Sequence, residues 1–162
     1  MTIGSETIKP VNSVGNLGLR LDNELSMKHH INAIARTCSY HLRRLRQIRR
    51  RAGYEVTVEL VLALIMSMLD YSNALFAGLP ASTIAPLQRV QNAAARLVLQ
   101  LGPRDHITQG LRHLHWLPIC ERVLYKLYVL MHDADNGTSS AYISDTATAR
   151  RSALQRPGLR SA

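Results

Sequence analysis

Apolar positions fall into segments of different period along the chain. From Ser26 to about Ile48 the period is helical, with Ile31, Ile34, Ala35, Cys38, Leu42 and Leu45 on one arc. Ser26 suits the N-cap of this helix and Gly53 its stop. Val56–Phe76 (VTVELVLALIMSMLDYSNALF) has no arc, because only Ser67 is polar between Leu60 and Leu69. A helix there is apolar all round, so other elements should cover it on every side. β-Branched Val56, Thr57, Val58 and Val61 also admit a buried strand, but strands run to about five or six residues, and a buried central helix is expected. Charged Glu55, Glu59 and Asp70 flank a run shorter than the roughly 20 residues of a bilayer span. No membrane partner is expected.

Leu87, Val90, Ala94, Leu97, Val98 and Leu101 make a second helical arc, opposite a wet face of Gln88, Arg89, Asn92, Arg96 and Gln100. Ser82 or Thr83 is its expected cap, with Pro86 in the first turn. Ala93, Ala94 and Ala95 admit a close helix, most simply the central one. Residues 105–116 read as irregular or a short helix. Pro118 opens another helix with Ile119, Val123, Leu124, Leu127, Leu130 and Met131 inward, closed by Asn136-Gly137. At the start, Thr7–Val11 and Leu17–Asp22 are short extended segments around a turn-rich 12–16. From Thr138 onward Ser, Thr, Ala and Arg dominate, and a poorly ordered tail is expected. The expected class is mainly α: a helical bundle around a central buried helix, with a short N-terminal β-hairpin and a disordered C-terminal tail.

Charge adds a partner class to this picture. The 162 residues carry 20 Lys+Arg against 11 Asp+Glu, a net charge of +9, which favours anionic partners without specifying a fold. Seventeen of the 20 basic residues are Arg, whose planar fork pairs with phosphate oxygens. Codon composition produces the same bias without function. Lys28, Arg36, Arg43, Arg46 and Arg50 lie on an arc beside the apolar one, and no acidic residue interrupts Lys28–Ala52. A solvated helix face and a phosphate-tracking stripe both satisfy that arrangement.

Candidate chemistry is sparse. Cys38-x-x-His41 and His113-x-His115-x4-Cys120 have tolerable metal spacings, but Cys38 sits on the apolar arc and no paired C-x-x-C accompanies it, so no metal site is expected. There is no G-x-S-x-G and no clustered carboxylates for two-metal chemistry. No catalytic residue is assigned. Two cysteines and no charged start with an apolar run after Met1 point to an intracellular protein, nuclear or cytoplasmic, that is not secreted.

LQRVQNAAARLVL (Leu87–Leu99) resembles the region downstream of the polymerase core in reverse transcriptases of non-LTR (LINE-type) retrotransposons, of the jockey-like and chicken-repeat-like kind. Further blocks agree in order: VGNLGLRLDNELSMKHHI (Val14–Ile31), HLRRLRQIRR (His41–Arg50), LDYSNALFAGLP (Leu69–Pro80), DHIT (Asp105–Thr108), LHWLPI (Leu114–Ile119), the Arg122…Tyr125-Lys126 helix and YISD (Tyr142–Asp145). The likeness covers about residues 8–160. It implies that Asn16, Leu17, Gly18 and Leu19 match the primer-grip hairpin and that residues 1–25 end the palm. Residues 26–101 would form a thumb-like bundle that holds an RNA/DNA template–primer duplex, 102–137 a linker region, and 138–162 a tail. The family's catalytic Asp pair, which works with Mg2+, lies upstream of Met1, and Ser72 stands where Cys is usual. The resemblance therefore implies a fragment without catalysis or cofactor of its own, whose exposed apolar surface meets the palm or a second copy. The alternative from the residues alone is a small helical protein–protein interaction module with no nucleic-acid role.

Overall fold

The computed structural model describes residues 12–102 and 104–146, together with two short strands near the N-terminus. Those strands, β1 (Thr2–Ile3) and β2 (Glu6–Thr7), pair antiparallel. β3 (Ser13–Asn16) and β4 (Leu19–Asp22) form the second antiparallel pair, with Asn16 opposite Leu19. The turn is therefore Leu17-Gly18, and the interval 12–16, expected as turn, is largely strand. Both turn residues have positive φ (47° and 79°), the backbone of a two-residue I′ hairpin. Of the two, only Gly18 is a residue type that favours positive φ. Of the expected strand Thr7–Val11, positions 8–11 lie outside the described residues.

Helix α1 (Lys28–Val61) continues through a π-helical turn at Leu62–Met66 into α2 (Ser67–Asp70), with a 3-10 turn at Asn73–Phe76. The N-cap position is Met27, in left-handed backbone (φ 56°), not Ser26. Ser26 instead donates its amide and hydroxyl to Asp22 at 2.7 and 2.6 Å. Those two bonds hold the Asp22 carboxyl below its ordinary pKa and tie the hairpin to the start of α1. Gly53 (φ 75°, ψ −177°) breaks α1 into two arms, as its residue type implies. A straight helix at 1.5 Å per residue would hold His30 tens of ångströms from Phe76, yet their rings lie 6.1 Å apart. The arms are therefore antiparallel.

Helix α3 (Ala81–Leu99) packs mainly along α1 and also meets the π-helical turn, α4 (Ile107–His113) and α5 (Ile119–Asp135). It thus links α1 to α4 and α5. Its buried residues are Thr83, Ile84, Leu87, Val90, Gln91, Ala94, Ala95, Leu97 and Val98. Buried Ile31, Ile34, Cys38, Leu42 and Leu45 face them from the first arm of α1, on the arc read from the sequence. The second arm buries one seam, Thr57, Val61, Ile65 and Leu69, with Met66 beside it. Val56, Leu62, Leu64 and Leu75 are exposed, which corrects the expectation of cover on every side. A helix in a three-membered bundle has two neighbours, and two neighbours leave an outer face bare.

This arm belongs to an 18-residue window of mean hydropathy 1.6, of which 28% is buried. The kink limits its straight length: residues 54–70 span about 25 Å, short of the ~30 Å hydrocarbon core.

Two further boundaries differ from the sequence reading. α3 starts at Ala81 behind Pro80, whose carbonyl accepts the Thr83 and Ile84 amides at 2.9 and 3.3 Å, and neither Ser82 nor Thr83 caps it. Pro86 thus falls inside the helix rather than in its first turn. It leaves the Ser82 carbonyl without a helical donor, and exposed Ser82 can be served by solvent. On α5, Ile119 and Val123 are buried, but Leu124 (47%) and Met131 (46%) are exposed, because α3 covers only the first turns. The same outer surface carries Tyr125 and Tyr128. Residues 141–146 are helical, against the expected disorder from Thr138, and the tail beyond 146 lies outside the described residues.

Polar side chains tie α3 to α5. Fully buried Gln91 donates to the Leu117 carbonyl at 2.8 Å, and Gln88 accepts the Ile119 amide at 2.9 Å. These bonds satisfy one of the free amides at the start of α5. His30 is the opposite case: it is buried against Phe76, and its Nε2 has no partner among the described residues. Burial, and secondarily the charge of Arg20, holds its pKa below 6.5. The unfolded chain thus takes up this proton before the folded one does. The part of the stability linked to this proton is fully present above pH 6.5 and is lost as pH falls from there through the lowered folded pKa. In urea titrations at neutral and mildly acidic pH, His30→Leu should lose less stability on acidification than the unaltered chain. An identical loss would show that His30 does not carry the dependence.

Candidate nucleic-acid interface

The first arm of α1 and α3 run side by side in the same direction, and two cavities open along their seam. One, of about 660 Å³, is lined by Asn32, Arg36, Ser39 and Arg43 from α1 and by Pro86 and Arg89 from α3, over a floor of Ala35, Leu42, Val90 and Ala93. The next, of about 640 Å³, is lined by Arg46 and Arg49 from α1 and by Arg96, Leu97, Gln100 and Leu101. Six arginines from two helices thus border one groove. The apolar arcs cause this: each helix turns its Leu, Ile and Ala face to the other, and the basic positions just beside those arcs converge on the rim.

Among the described residues Arg122 and Asp70 form an ion pair at 2.5 Å, and a His132 ring nitrogen lies 3.7 Å from the Asp133 carboxylate. None of the six groove arginines has an acidic partner there. Arg36, Arg43, Arg46 and Arg89 are exposed, while Arg49 and Arg96 are half-buried. Arg49 donates to the Val98 carbonyl at 3.0 Å and Arg96 to the Asp105 carbonyl at 3.3 Å. Guanidinium groups left without carboxylates along an open groove suit a polyanion that brings its own negative charge.

Of the five basic residues singled out from the sequence, Arg36, Arg43 and Arg46 border the groove. Arg50 is exposed and lines neither cavity. Lys28 does not border the groove: it lines a separate cleft with Asp22, Glu24 and His29, because the hairpin folds its acidic end back over the start of α1. Arg49, Arg89 and Arg96 were the omissions. The last two sit on what reads as a wet face of α3, and only the pairing of the helices turns them toward α1. Their seven-residue spacing, shared with Arg36 and Arg43, was the available signal.

The hairpin tip lies elsewhere. Asn16, Leu17, Gly18 and Leu19 line neither arginine cavity. Tyr71 donates its hydroxyl to the Leu17 carbonyl at 2.5 Å, and its ring packs on Gly18. Next to it Arg122 holds both oxygens of Asp70 at 2.5 Å. Asn16–Leu19 therefore has a fixed seat on the 70–73 turn.

The spacings considered for metal do not converge. Cys38 is fully buried in the core, where burial raises its thiol to about 11, whereas Cys120 is exposed. Among the described residues no three His, Cys, Asp or Glu gather. Asp70 is paired with Arg122, and Asp22 is bonded to Ser26. Comparison with protein-family models, curated proteins and solved structures finds no match to the chain.

Proposed function

We propose that the chain binds a template–primer duplex through the α1/α3 groove, as the thumb-and-linker part of a non-LTR retrotransposon reverse transcriptase, and that it carries no catalytic centre. The observation that carries this reading is the convergence of Arg36, Arg43, Arg46, Arg49, Arg89 and Arg96 on one groove without an acidic partner. Contacts of this type read backbone and shape, so binding is nearly indifferent to base sequence. A mixed-sequence RNA/DNA duplex titrated over a range of salt tests it. Six phosphate contacts give a log–log slope of about −5; a slope near zero would overturn the reading. In the same scheme the palm of the parent polymerase is the protein partner, and the site of action is intracellular, nuclear or cytoplasmic. Magnesium-dependent primer extension by the purified chain should yield no product, since among the described residues no three His, Cys, Asp or Glu gather to hold metal ions. Extension above background would contradict this.

A second reading, a helical interaction module, is favoured by a separate observation: Val56, Leu62, Leu64 and Leu75 leave the second arm of α1 and its continuation bare. An apolar surface of this kind promotes association. Sedimentation of the isolated chain should show concentration-dependent self-association that Leu62→Glu with Leu64→Glu abolishes. A concentration-independent monomer would remove the support for this reading.

A further inference from the structure

The first arm of α1 carries one aromatic residue among its arginines. Between Lys28 and Arg51 the only Phe, Trp or Tyr is Tyr40, and 50% of it is open to solvent. At about 100° per residue, Tyr40 stands within roughly 60° of Arg36 and Arg43, on the outer side of the groove rim. Residues three and four apart on a helix are neighbours, with about 5–6 Å between Cβ atoms, which is within the reach of one nucleotide from its phosphate to its base. On the other side of Tyr40, the Arg44 guanidinium carbon lies 6.0 Å from the centre of the ring, and one of its terminal nitrogens lies 3.5 Å from the hydroxyl. The His41 ring meets Tyr40 edge-on, with centroids 5.6 Å apart and planes at 72°. These two neighbours hold the ring while half of the residue stays exposed. The other exposed tyrosines lack this setting: Tyr54 adjoins Glu55, and Tyr71 gives its hydroxyl to Leu17.

We infer that Tyr40 is a stacking platform for an unpaired base of a strand whose phosphates lie on Arg36 and Arg43, so that the chain takes a duplex together with a single-stranded extension. This deepens the groove reading, on which it rests for the phosphate contacts. Every base has a π-face, so stacking on an exposed ring beside a basic stripe needs no hydrogen-bond code and tolerates any sequence. The adjacent Arg44 adds a cation at the same ring. A duplex keeps its bases inside its own stack, and the ring therefore meets a base only where a strand is single. Arg36 and Arg43 attract the backbone of either form by charge; Tyr40 distinguishes the two.

The test titrates the full chain with three mixed-sequence probes: a blunt RNA/DNA duplex, the same duplex with a short single-stranded extension that carries 2-aminopurine, and the extended strand alone. The extended duplex should bind more tightly than the blunt one, and the 2-aminopurine fluorescence should fall as the base stacks. Tyr40→Leu should weaken binding of the extended duplex by about tenfold, abolish the quenching and leave the blunt duplex within about twofold. Tyr40→Phe keeps the ring and should restore both. The salt slope should be the same for Tyr40→Leu and the unaltered chain, because no phosphate contact is lost. Tyr128 is 68% exposed on α5 and lines neither arginine cavity, and Tyr128→Leu should change nothing. Equal weakening of the blunt and extended duplexes by Tyr40→Leu, or weakening of neither, would overturn the platform, as would unquenched 2-aminopurine in the unaltered chain. Salt-dependent binding of the blunt duplex, with no dependence of the extension on Tyr40, would reject the platform and retain the groove reading. Tyr40-dependent binding of the extended strand alone, with no duplex binding, would retain the platform and reject a duplex as the ligand of the groove.

Discussion

Phe76→Ala should lower stability by about 3–5 kcal/mol, read as a fall in urea midpoint with unchanged slope. Phe76 has no exposed surface and is among the largest fully buried side chains. It sits on the 3-10 turn that packs against α5, and its ring meets His30 at the start of α1. Removing the ring leaves a cavity where three distant parts of the chain meet, and domains of this size have only about 5–15 kcal/mol in total. Leu75, the neighbouring residue, is 50% exposed, and Leu75→Ala should stay within about 0.5 kcal/mol. Equal costs for the two would mean that this turn does not pin α5 to the first arm of α1.

The other large effect concerns the groove. Replacing Arg36, Arg43 and Arg89 by Gln removes three charges that line one cavity. At about 0.9 per phosphate contact, the salt slope for duplex binding should flatten by two to three units. Arg89 would have served as a control if α3 had presented it to solvent away from α1. Its place on the shared rim makes it part of the test set. Arg44, Arg104 and Arg112 are exposed and line neither arginine cavity, so they supply a control of equal charge.

The division between what the sequence disclosed and what it concealed follows the range of the interactions. The arcs Ile31–Leu45 and Leu87–Val98 were legible because a half-buried helix repeats its apolar residues with its own period. Gly53 was legible because a positive φ favours glycine. The second arm of α1 was not: a segment apolar on all sides holds no mark of which side is covered, and Ile65 and Leu64 look alike until α3 is in place. The outward turn of Leu124 and Met131 depends likewise on how far α3 reaches along α5. At the candidate site, α1 contributed its basic positions openly. The share of α3 in the groove depended on helix pairing, and the Arg122–Asp70 contact joins residues 52 apart in the chain. No local pattern encodes either.

The central claim is that a groove of converging arginines, and not diffuse positive charge, holds a nucleic-acid backbone. The most direct measurement compares salt slopes for one RNA/DNA duplex between the Arg36/Arg43/Arg89→Gln chain and the Arg44/Arg104/Arg112→Gln chain. Flattening by two to three units in the first and by less than one in the second is the expected result. Equal flattening in both would contradict the groove and assign the binding to net charge alone.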